Sequence, residues 1–144
     1  MSDFTLNPEQ VRLAASTLSR QCHGLAKASG WWTCLATGRS LVGEYAYMRT
    51  PNIMPPRNIG ELLCLVHSEV SEAMEGARKN LMDDKLPHRP MLEVELADAV
   101  IRIFDMAGGL GLDIPGAMAE KLAYNARRED HKIENRAAAG GKKF

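Results

Sequence analysis

Residues 58–80 read NIGELLCLVHSEVSEAMEGARKN, and residues 90–109 read PMLEVELADAVIRIFDMAGG. In both stretches apolar side chains recur every three or four residues, the period of an α-helix with one face in a core. The first stretch opens with a capping-box pattern at Asn58 and predicts a helix that ends near Asn80. The second predicts a helix from about Pro90 that stops before its glycine pair. Because a short turn separates the two helices, we expect them to pack antiparallel.

The rest of the chain carries two further helix signals. Asn7 and the proline after it predict a helix over about residues 8–27, and Asp113 caps another that runs to about residue 130. Residues 29–57 are rich in glycine and proline, so we expect a long loop that holds at most one short helix. The sequence therefore predicts a single all-α domain with four main helices over residues 1–137, and a flexible tail over residues 138–144.

The composition excludes several classes of protein. Eighteen basic and 18 acidic residues give a net charge of 0, which removes the electrostatic case for binding nucleic acid or a membrane surface. The sequence has no apolar run near the roughly 20 residues of a membrane span, and its N-terminus has no signal-peptide pattern. Cys22, Cys34 and Cys64 form no CxxC pair, which indicates a reducing compartment. We expect a cytoplasmic protein that handles a small molecule.

Four carboxylates border the apolar faces of the two antiparallel helices. On a helical wheel Glu69 lies inside the edge of one apolar arc, and Glu72 lies just beyond that edge. Glu95 and Asp98 occupy the narrow polar strip of the other helix. Carboxylates that meet in an apolar bundle repel one another and are desolvated, so they need a counter-charge. A divalent cation with oxygen ligands, usually Mg²⁺, supplies it, whereas a solvated helix face is the alternative interpretation.

A second set of polar side chains lies on the predicted fourth helix. Lys121, Asn125 and Arg128 follow one another at i, i+4 and i+7, within about 60° on the wheel. An ammonium group, an amide and a guanidinium fork suit phosphate oxygens. Taken alone, this stripe is also typical of a solvated face.

These motifs resemble those of a known family. Glu69-Val70-Ser71-Glu72, then 22 residues, then Glu95-Leu96-Ala97-Asp98 is similar to the ExxE…ExxD pattern of the MazG-like all-α nucleotide pyrophosphohydrolases. The stripe of Lys121, Asn125 and Arg128 resembles the phosphate-contacting motif of that family. The resemblance covers Asn58 to His131, about half of the chain. It implies hydrolysis of a nucleoside or deoxynucleoside triphosphate between the α and β phosphates, which yields the monophosphate and pyrophosphate.

The resemblance also implies roles for single residues. The metal ligands for Mg²⁺ or Mn²⁺ are Glu69, Glu72, Glu95 and Asp98. Glu69 is the expected general base, although Ser68 stands where many members carry another Glu, so the metal count and the base stay open. The expected phosphate ligands are Lys121, Asn125 and Arg128, and the expected base-stacking residues are Trp31 and Trp32, for which core or interface packing is the alternative. The family further implies a homodimer or a dimer of dimers.

Several functions stay open from the sequence. The turn LMDDKLPHRP and the tail HKIENRAAAGGKKF resemble those of small phage and bacterial members, among them the MazZ-type enzymes that act on (d)GTP. For a phage-encoded chain, the expected cytoplasm is that of the host. Broad removal of noncanonical nucleotides is the alternative within the family. A di-iron bundle needs Glu-x-x-His, and no histidine here follows a Glu at that spacing. A non-catalytic helical binding or assembly module is the remaining alternative.

Overall fold

Helices make up most of the regular secondary structure in the part of the chain that the structure describes. A computed structural model describes residues 5–43 and 57–142, and within those ranges it holds helices and isolated β-bridges but no strand. The α-helices are α1, Pro8–Ala28; α2, Ile59–Lys79; α3, Met91–Leu110; α4, Ile114–Asn125; and α5, Ile133–Ala137, with a 3₁₀ helix at Glu129–His131. None of the helices in these ranges has the length and apolarity needed to cross a membrane. The predicted all-α class is confirmed.

The chain divides into two compact units. The central unit spans Leu18–Leu112, and the terminal unit consists of the residues up to Thr17 and those from Asp113 onward. Helices α2 and α3 belong to the central unit, whereas α4 and α5 belong to the terminal unit. In the terminal unit Asp113 caps α4 as predicted, because its Oδ1 accepts a hydrogen bond from the N–H of Gly116 at 2.9 Å. Part of the predicted long loop, residues 44–56, lies outside the described residues.

Asparagine side chains begin α1 and α2 where the sequence predicts them. Asn7 Oδ1 accepts a hydrogen bond from the N–H of Gln10 at 3.0 Å, and Asn58 Oδ1 accepts one from the N–H of Gly60 at 2.9 Å. These bonds satisfy backbone donors that have no partner inside the helix. Helix α2 ends before Asn80, which adopts the left-handed conformation with φ of 51°. Asparagine tolerates that conformation better than most residues, so it suits a helix end.

Two predicted helix ends are wrong. Helix α3 continues through Gly108 and Gly109 and ends at Leu110, and the next residue, Gly111, caps it in the left-handed conformation with φ of 66°. The glycine pair stays helical because its missing side chains leave room for His23 and Trp32 to pack against it. Helix α4 ends at Asn125 rather than near residue 130, because the backbone is extended again at residue 128.

Helices α2 and α3 pack antiparallel, as predicted. Gly76 near the end of α2 contacts Met91 at the start of α3, and Glu69 in the middle of α2 pairs with Arg102. Residues 81–90 form a short connecting loop, in which the N–H of Asp83 donates a hydrogen bond to the carbonyl of Arg89 at 3.0 Å. The turn therefore holds the two helices side by side, so that the middle of α2 faces the middle of α3.

The core of the central unit forms around one tryptophan. Trp32 is 1% exposed and packs with Leu62 of α2 and Leu110 of α3. Its indole Nε1 donates a hydrogen bond to Asp105 Oδ1 at 2.7 Å, and the ring of His23 contacts the same oxygen through Nδ1 at 2.9 Å. Because a buried indole N–H needs a partner, Asp105 makes burial of this tryptophan favourable. The carboxylate thereby ties the second half of α1 and the residues after it to α3.

Helix α3 is less buried than its apolar circumference predicts. Leu96, Val100 and Ile101 of α3 are all exposed to nearly half of their surface. Its other sides face α2 and the second half of α1, so in the described part of the chain one copy does not cover the whole helix. In the described residues a single copy of the chain therefore leaves part of the apolar circumference of α3 exposed.

Two Gly→Ala substitutions are expected to have opposite effects on stability. A Cβ at Gly109 would lie 2.1 Å from the Trp32 ring, so G109A should lower the free energy of unfolding by about 2 kcal/mol or more. Gly24 lies inside α1, and among the described residues no side chain other than those of its chain neighbours comes within 4 Å of the place where its Cβ would stand. G24A should therefore raise that free energy by about 0.5–1 kcal/mol. Guanidinium denaturation of both variants measures the difference. Equal effects would contradict the packing of Trp32 on the glycine.

Candidate metal centre

Three carboxylates from two helices meet in the central unit. Glu69 of α2 and Glu95 and Asp98 of α3 each offer one oxygen, and these oxygens all lie within 4.8 Å of one another. Glu69 and Glu95 are buried, at 5% and 8% exposure, and Asp98 is half-buried. Antiparallel packing produces this meeting, since it places the middle of one helix against the middle of the other. We call these three residues the carboxylate cluster.

Glu72, the fourth predicted ligand, lies one helical turn after Glu69 and is exposed. It is not among the three residues whose oxygens lie within 4.8 Å of one another. Its negative charge nevertheless contributes to raising the pKa of Glu95, so the side chain lies near the cluster. The wheel places Glu72 just past the apolar edge, and its exposure agrees with that position.

The cluster is electrostatically strained without a cation. Burial is the main reason that the pKa of Glu95 is raised from 4.5 to about 7, and the charge of Glu72 and the hydrogen bond and charge of Glu69 act in the same direction. Burial also raises the pKa of Asp98, together with the charge of Glu69. Both shifts mean that the cluster holds its full negative charge only at a cost in free energy. A cation at this position would remove that cost.

Arg102 supplies one positive charge to the cluster from α3. Its Nε donates a hydrogen bond to Glu69 Oε1 on the opposite helix. From the sequence, Arg102 is expected to hold Asp98, one turn earlier on its own helix, because residues at i and i+4 are neighbours. Packing of α3 on α2 instead brings Glu69 within reach, so Arg102 forms its hydrogen bond across the two helices. The charge of Arg102 nevertheless lowers the pKa of Asp98.

Asp83 is a carboxylate near the cluster that the sequence interpretation missed. It lies in the turn between α2 and α3, is buried, and accepts a hydrogen bond from the backbone N–H of Lys85 at 3.0 Å. Its charge contributes to the raised pKa of Asp98. An aspartate that bonds the backbone two residues later is a common turn pattern, so the sequence could have shown the turn but not the approach to the cluster.

A cleft of about 610 Å³ opens beside the cluster within the central unit. Asp98 and Arg102 line it on the side of α3, and Trp31 lines it on the side of the turn after α1. The remaining lining residues are Cys22, Leu25, Ala26, Ser29, Arg57, Glu61, Leu65, Ile101 and Asp105. The lining therefore combines apolar side chains with two basic residues and three acidic ones, which is typical of a pocket for a small polar molecule.

The two adjacent tryptophans have different surroundings. Trp31 is 71% exposed and lines the cleft, whereas Trp32 is 1% exposed in the core. Both are candidates for base stacking from the sequence. The Trp32 ring is enclosed by core side chains and has no open face for a ligand, so of the pair Trp31 is the one that a ligand in the cleft can reach.

The predicted phosphate ligands lie in the terminal unit. Lys121 and Asn125 lie on α4, and the Nζ of Lys121 is 4.8 Å from the centre of the Tyr124 ring. Arg128 lies past the end of α4, and its Nε donates to Asp130 Oδ1 at 2.8 Å, so the prediction that one helix carries all three residues is wrong. The Oδ1 of Asn125 is buried without a hydrogen-bond partner in the described residues. A buried amide oxygen without a partner is costly in free energy, and because it is an acceptor it needs a hydrogen-bond donor rather than a phosphate oxygen.

The donor set of the cluster fits a hard divalent cation. It consists of carboxylate oxygens and contains no histidine or cysteine, which matches the preference of Mg²⁺ and Mn²⁺ for oxygen ligands. Its oxygens all lie within 4.8 Å of one another, which is close enough for them to be ligands of one cation. The di-iron alternative needs histidine ligands, and the cluster offers none. Comparison of the chain with models of protein families, with curated proteins and with solved structures found no match.

Proposed function

We propose that this protein is a Mg²⁺- or Mn²⁺-dependent nucleoside triphosphate pyrophosphohydrolase. The observation that carries the proposal is the meeting of Glu69, Glu95 and Asp98, buried or half-buried, beside a cleft that Asp98 lines. The ExxE and ExxD spacing resembles that of the MazG-like family, and this resemblance is the basis for the type of reaction. Water and a nucleoside triphosphate react to give the monophosphate and pyrophosphate, through cleavage of the bond between the α and β phosphates.

The residues of the cluster have distinct roles in the proposed reaction. Glu69, Glu95 and Asp98, with Glu72 at their edge, would hold the divalent cation, which would supply positive charge to the triphosphate. Glu69 would take the proton of the attacking water.

The substrate contacts outside the cluster form the second part of the proposal. The β and γ phosphates bind to Lys121, Asn125 and Arg128, whose ammonium group, amide N–H groups and guanidinium group are hydrogen-bond donors. The nucleobase stacks on Trp31, the exposed tryptophan of the cleft. This function has two possible forms. One is a preference for (d)GTP in phage nucleotide metabolism, and the other is broad clearance of noncanonical nucleotides.

Assembly as a homodimer or homotetramer completes the proposal. Exposed apolar side chains follow the helical repeat on one side of the α2–α3 pair: Leu63, Val70 and Met74 on α2, and Leu92, Leu96 and Val100 on α3. Helical wheels place this side opposite the face that carries Asp98 and Arg102. An apolar surface that continues over two helices is typical of a protein–protein interface. A second copy of the chain would cover it and leave the cleft open.

A non-catalytic helical assembly module is the second candidate, because the same apolar surface favours it. It gives no reason for three carboxylates to be buried together at a cost in free energy. The two candidates differ in one property that is simple to measure. The enzyme requires a divalent cation, and the module does not.

A nucleotide panel tests the proposed reaction. The eight common NTPs and dNTPs are incubated with the protein and Mg²⁺ or Mn²⁺, and pyrophosphate and orthophosphate are measured separately. We expect pyrophosphate and a monophosphate. Products from guanine nucleotides alone would support the specialised form, and products from many nucleotides would support broad clearance. Orthophosphate as the only released phosphate would contradict cleavage between the α and β phosphates, and the absence of any product would favour the assembly module.

A further inference from the structure

Arg102 connects the carboxylate cluster to the cleft. Its Nε donates a hydrogen bond to Glu69, whose side chain is only 7% exposed, while the arginine side chain is 43% exposed. Arg102 also lines the cleft beside Asp98. One guanidinium group therefore has a buried anionic partner on one side and an open, ligand-sized space on the other.

We propose that Arg102 exchanges anionic partners: it pairs with Glu69 when the cluster holds no cation, and with a phosphate oxygen of the substrate when it does. This inference rests on the proposed metal-dependent function. It assigns to Arg102 a role in phosphate binding at the cleft of the central unit. It also makes Arg102 a competitor of the divalent cation for Glu69.

The competition follows from the carboxylate that Arg102 contacts. Glu69 Oε1 accepts the hydrogen bond from Arg102, and one oxygen of the same carboxylate belongs to the group that could hold a cation. A divalent cation and a guanidinium group repel each other, so a cation bound to Glu69 weakens the contact with Arg102. Entry of the cation therefore has to displace the arginine or share the carboxylate with it.

The displaced guanidinium has a natural partner in the cleft. Its planar set of N–H donors matches two phosphate oxygens, and such charge-assisted pairs are among the stronger hydrogen bonds in proteins. The side chain already reaches the cleft, so a change of rotamer is enough to turn it from Glu69 toward a phosphate. Cation binding and phosphate binding then support each other, because each one favours the same position of Arg102.

The test compares R102Q and R102K with the wild-type protein and with R78Q. Arg78 also pairs with a glutamate, Glu75 at 3.6 Å, and its side chain is 69% exposed at the end of α2, so R78Q removes the same charge away from the cluster. Isothermal calorimetry first measures Mn²⁺ binding to the metal-free proteins. It then measures binding of inorganic tripolyphosphate, which carries phosphates without a base, at saturating Mn²⁺. Circular dichroism confirms that each variant is folded.

The expected signature is a pair of opposite effects. R102Q should bind Mn²⁺ about tenfold more tightly, and the manganese complex of tripolyphosphate about tenfold more weakly, because one charge-assisted contact is lost from each state. R102K, which keeps the charge without the planar fork, should fall between R102Q and the wild type in both measurements, and it carries the test if R102Q does not fold. R78Q should match the wild type within about twofold in both.

Opposite effects cannot arise from general damage to the fold, which weakens both ligands. If R102Q binds Mn²⁺ no more tightly than the wild type, or tripolyphosphate no more weakly, the proposed exchange of partners by Arg102 is wrong. The proposed metal site is not contradicted by that result. If neither the wild type nor R102Q binds Mn²⁺, the metal site itself is wrong, and this inference fails with it. The two failures are therefore distinguishable.

Discussion

The D98N variant is expected to release pyrophosphate at least about 100-fold more slowly than the wild-type protein, at saturating Mg²⁺ and nucleotide. Asparagine keeps the shape of Asp98 but removes one negative charge from a cluster whose oxygens lie within 4.8 Å of one another. A catalytic cation contributes several kcal/mol to the transition state, and each 1.4 kcal/mol or so corresponds to a factor of ten in rate. Measurement of pyrophosphate release under multiple turnover gives the ratio directly.

E93Q is the matched control for D98N. Glu93 lies on the same helix, is exposed, and pairs with Arg89 at 3.3 Å rather than with the cluster. Its substitution removes the same charge and should leave the rate within about twofold of the wild type. The metal-free D98N protein should be no less stable than the wild type, because it has lost a repulsive charge. Full activity of D98N would show that the cluster does not carry the reaction.

The metal-free protein is expected to lose stability as the pH rises from about 4.5 to about 7. Glu95 has an ordinary pKa of 4.5 and a pKa of about 7 in the folded protein, mainly because it is buried. A carboxyl group whose pKa is raised by folding stabilises the protein when it is protonated, so its contribution is complete below the lower value and is lost through the higher one. Thermal unfolding in the presence of a chelator, at several pH values, measures this loss.

The E95Q variant should remove most of that pH dependence. Glutamine cannot ionise, so at about pH 8 metal-free E95Q should be more stable than the wild type by on the order of 1–2 kcal/mol, or about 3–8 °C in Tm. E93Q, in contrast, should follow the wild-type curve. Added Mg²⁺ should stabilise the wild type more at about pH 8 than at about pH 5, because protons and cations compete for the same carboxylates. Parallel curves for the wild type and E95Q would contradict the strain assigned to Glu95.

The sequence predicts the α2–α3 pair well because the signals that define it are local. Asn58 and Asn80 lie at the two ends of α2, and both act through hydrogen bonds or backbone preferences within a few residues. The meeting of Glu69 with Glu95 and Asp98 follows from two helical periods and one short turn, which also are local properties. These features do not require knowledge of distant parts of the chain.

The features that escape prediction depend on contacts between distant residues. Helix α3 passes through its glycine pair because Trp32, more than 70 residues earlier in the sequence, packs against Gly109. Trp31 and Trp32 look alike in the sequence, and the hydrogen bond from Trp32 to Asp105 helps to determine which one enters the core. Arg102 likewise pairs across the helices rather than along its own. In each case tertiary packing selects between options that local rules allow.

The proposed function and the exchange of partners by Arg102 both require a divalent cation at the carboxylate cluster. Electron paramagnetic resonance of Mn²⁺ titrated into the metal-free protein at about pH 7.5 measures that requirement most directly, with E69Q and E93Q titrated in parallel. We predict that the wild type and E93Q bind at least one Mn²⁺ per chain, and that E69Q binds it at least about tenfold more weakly. Absence of binding by the wild type, or equal binding by E69Q, would contradict the account.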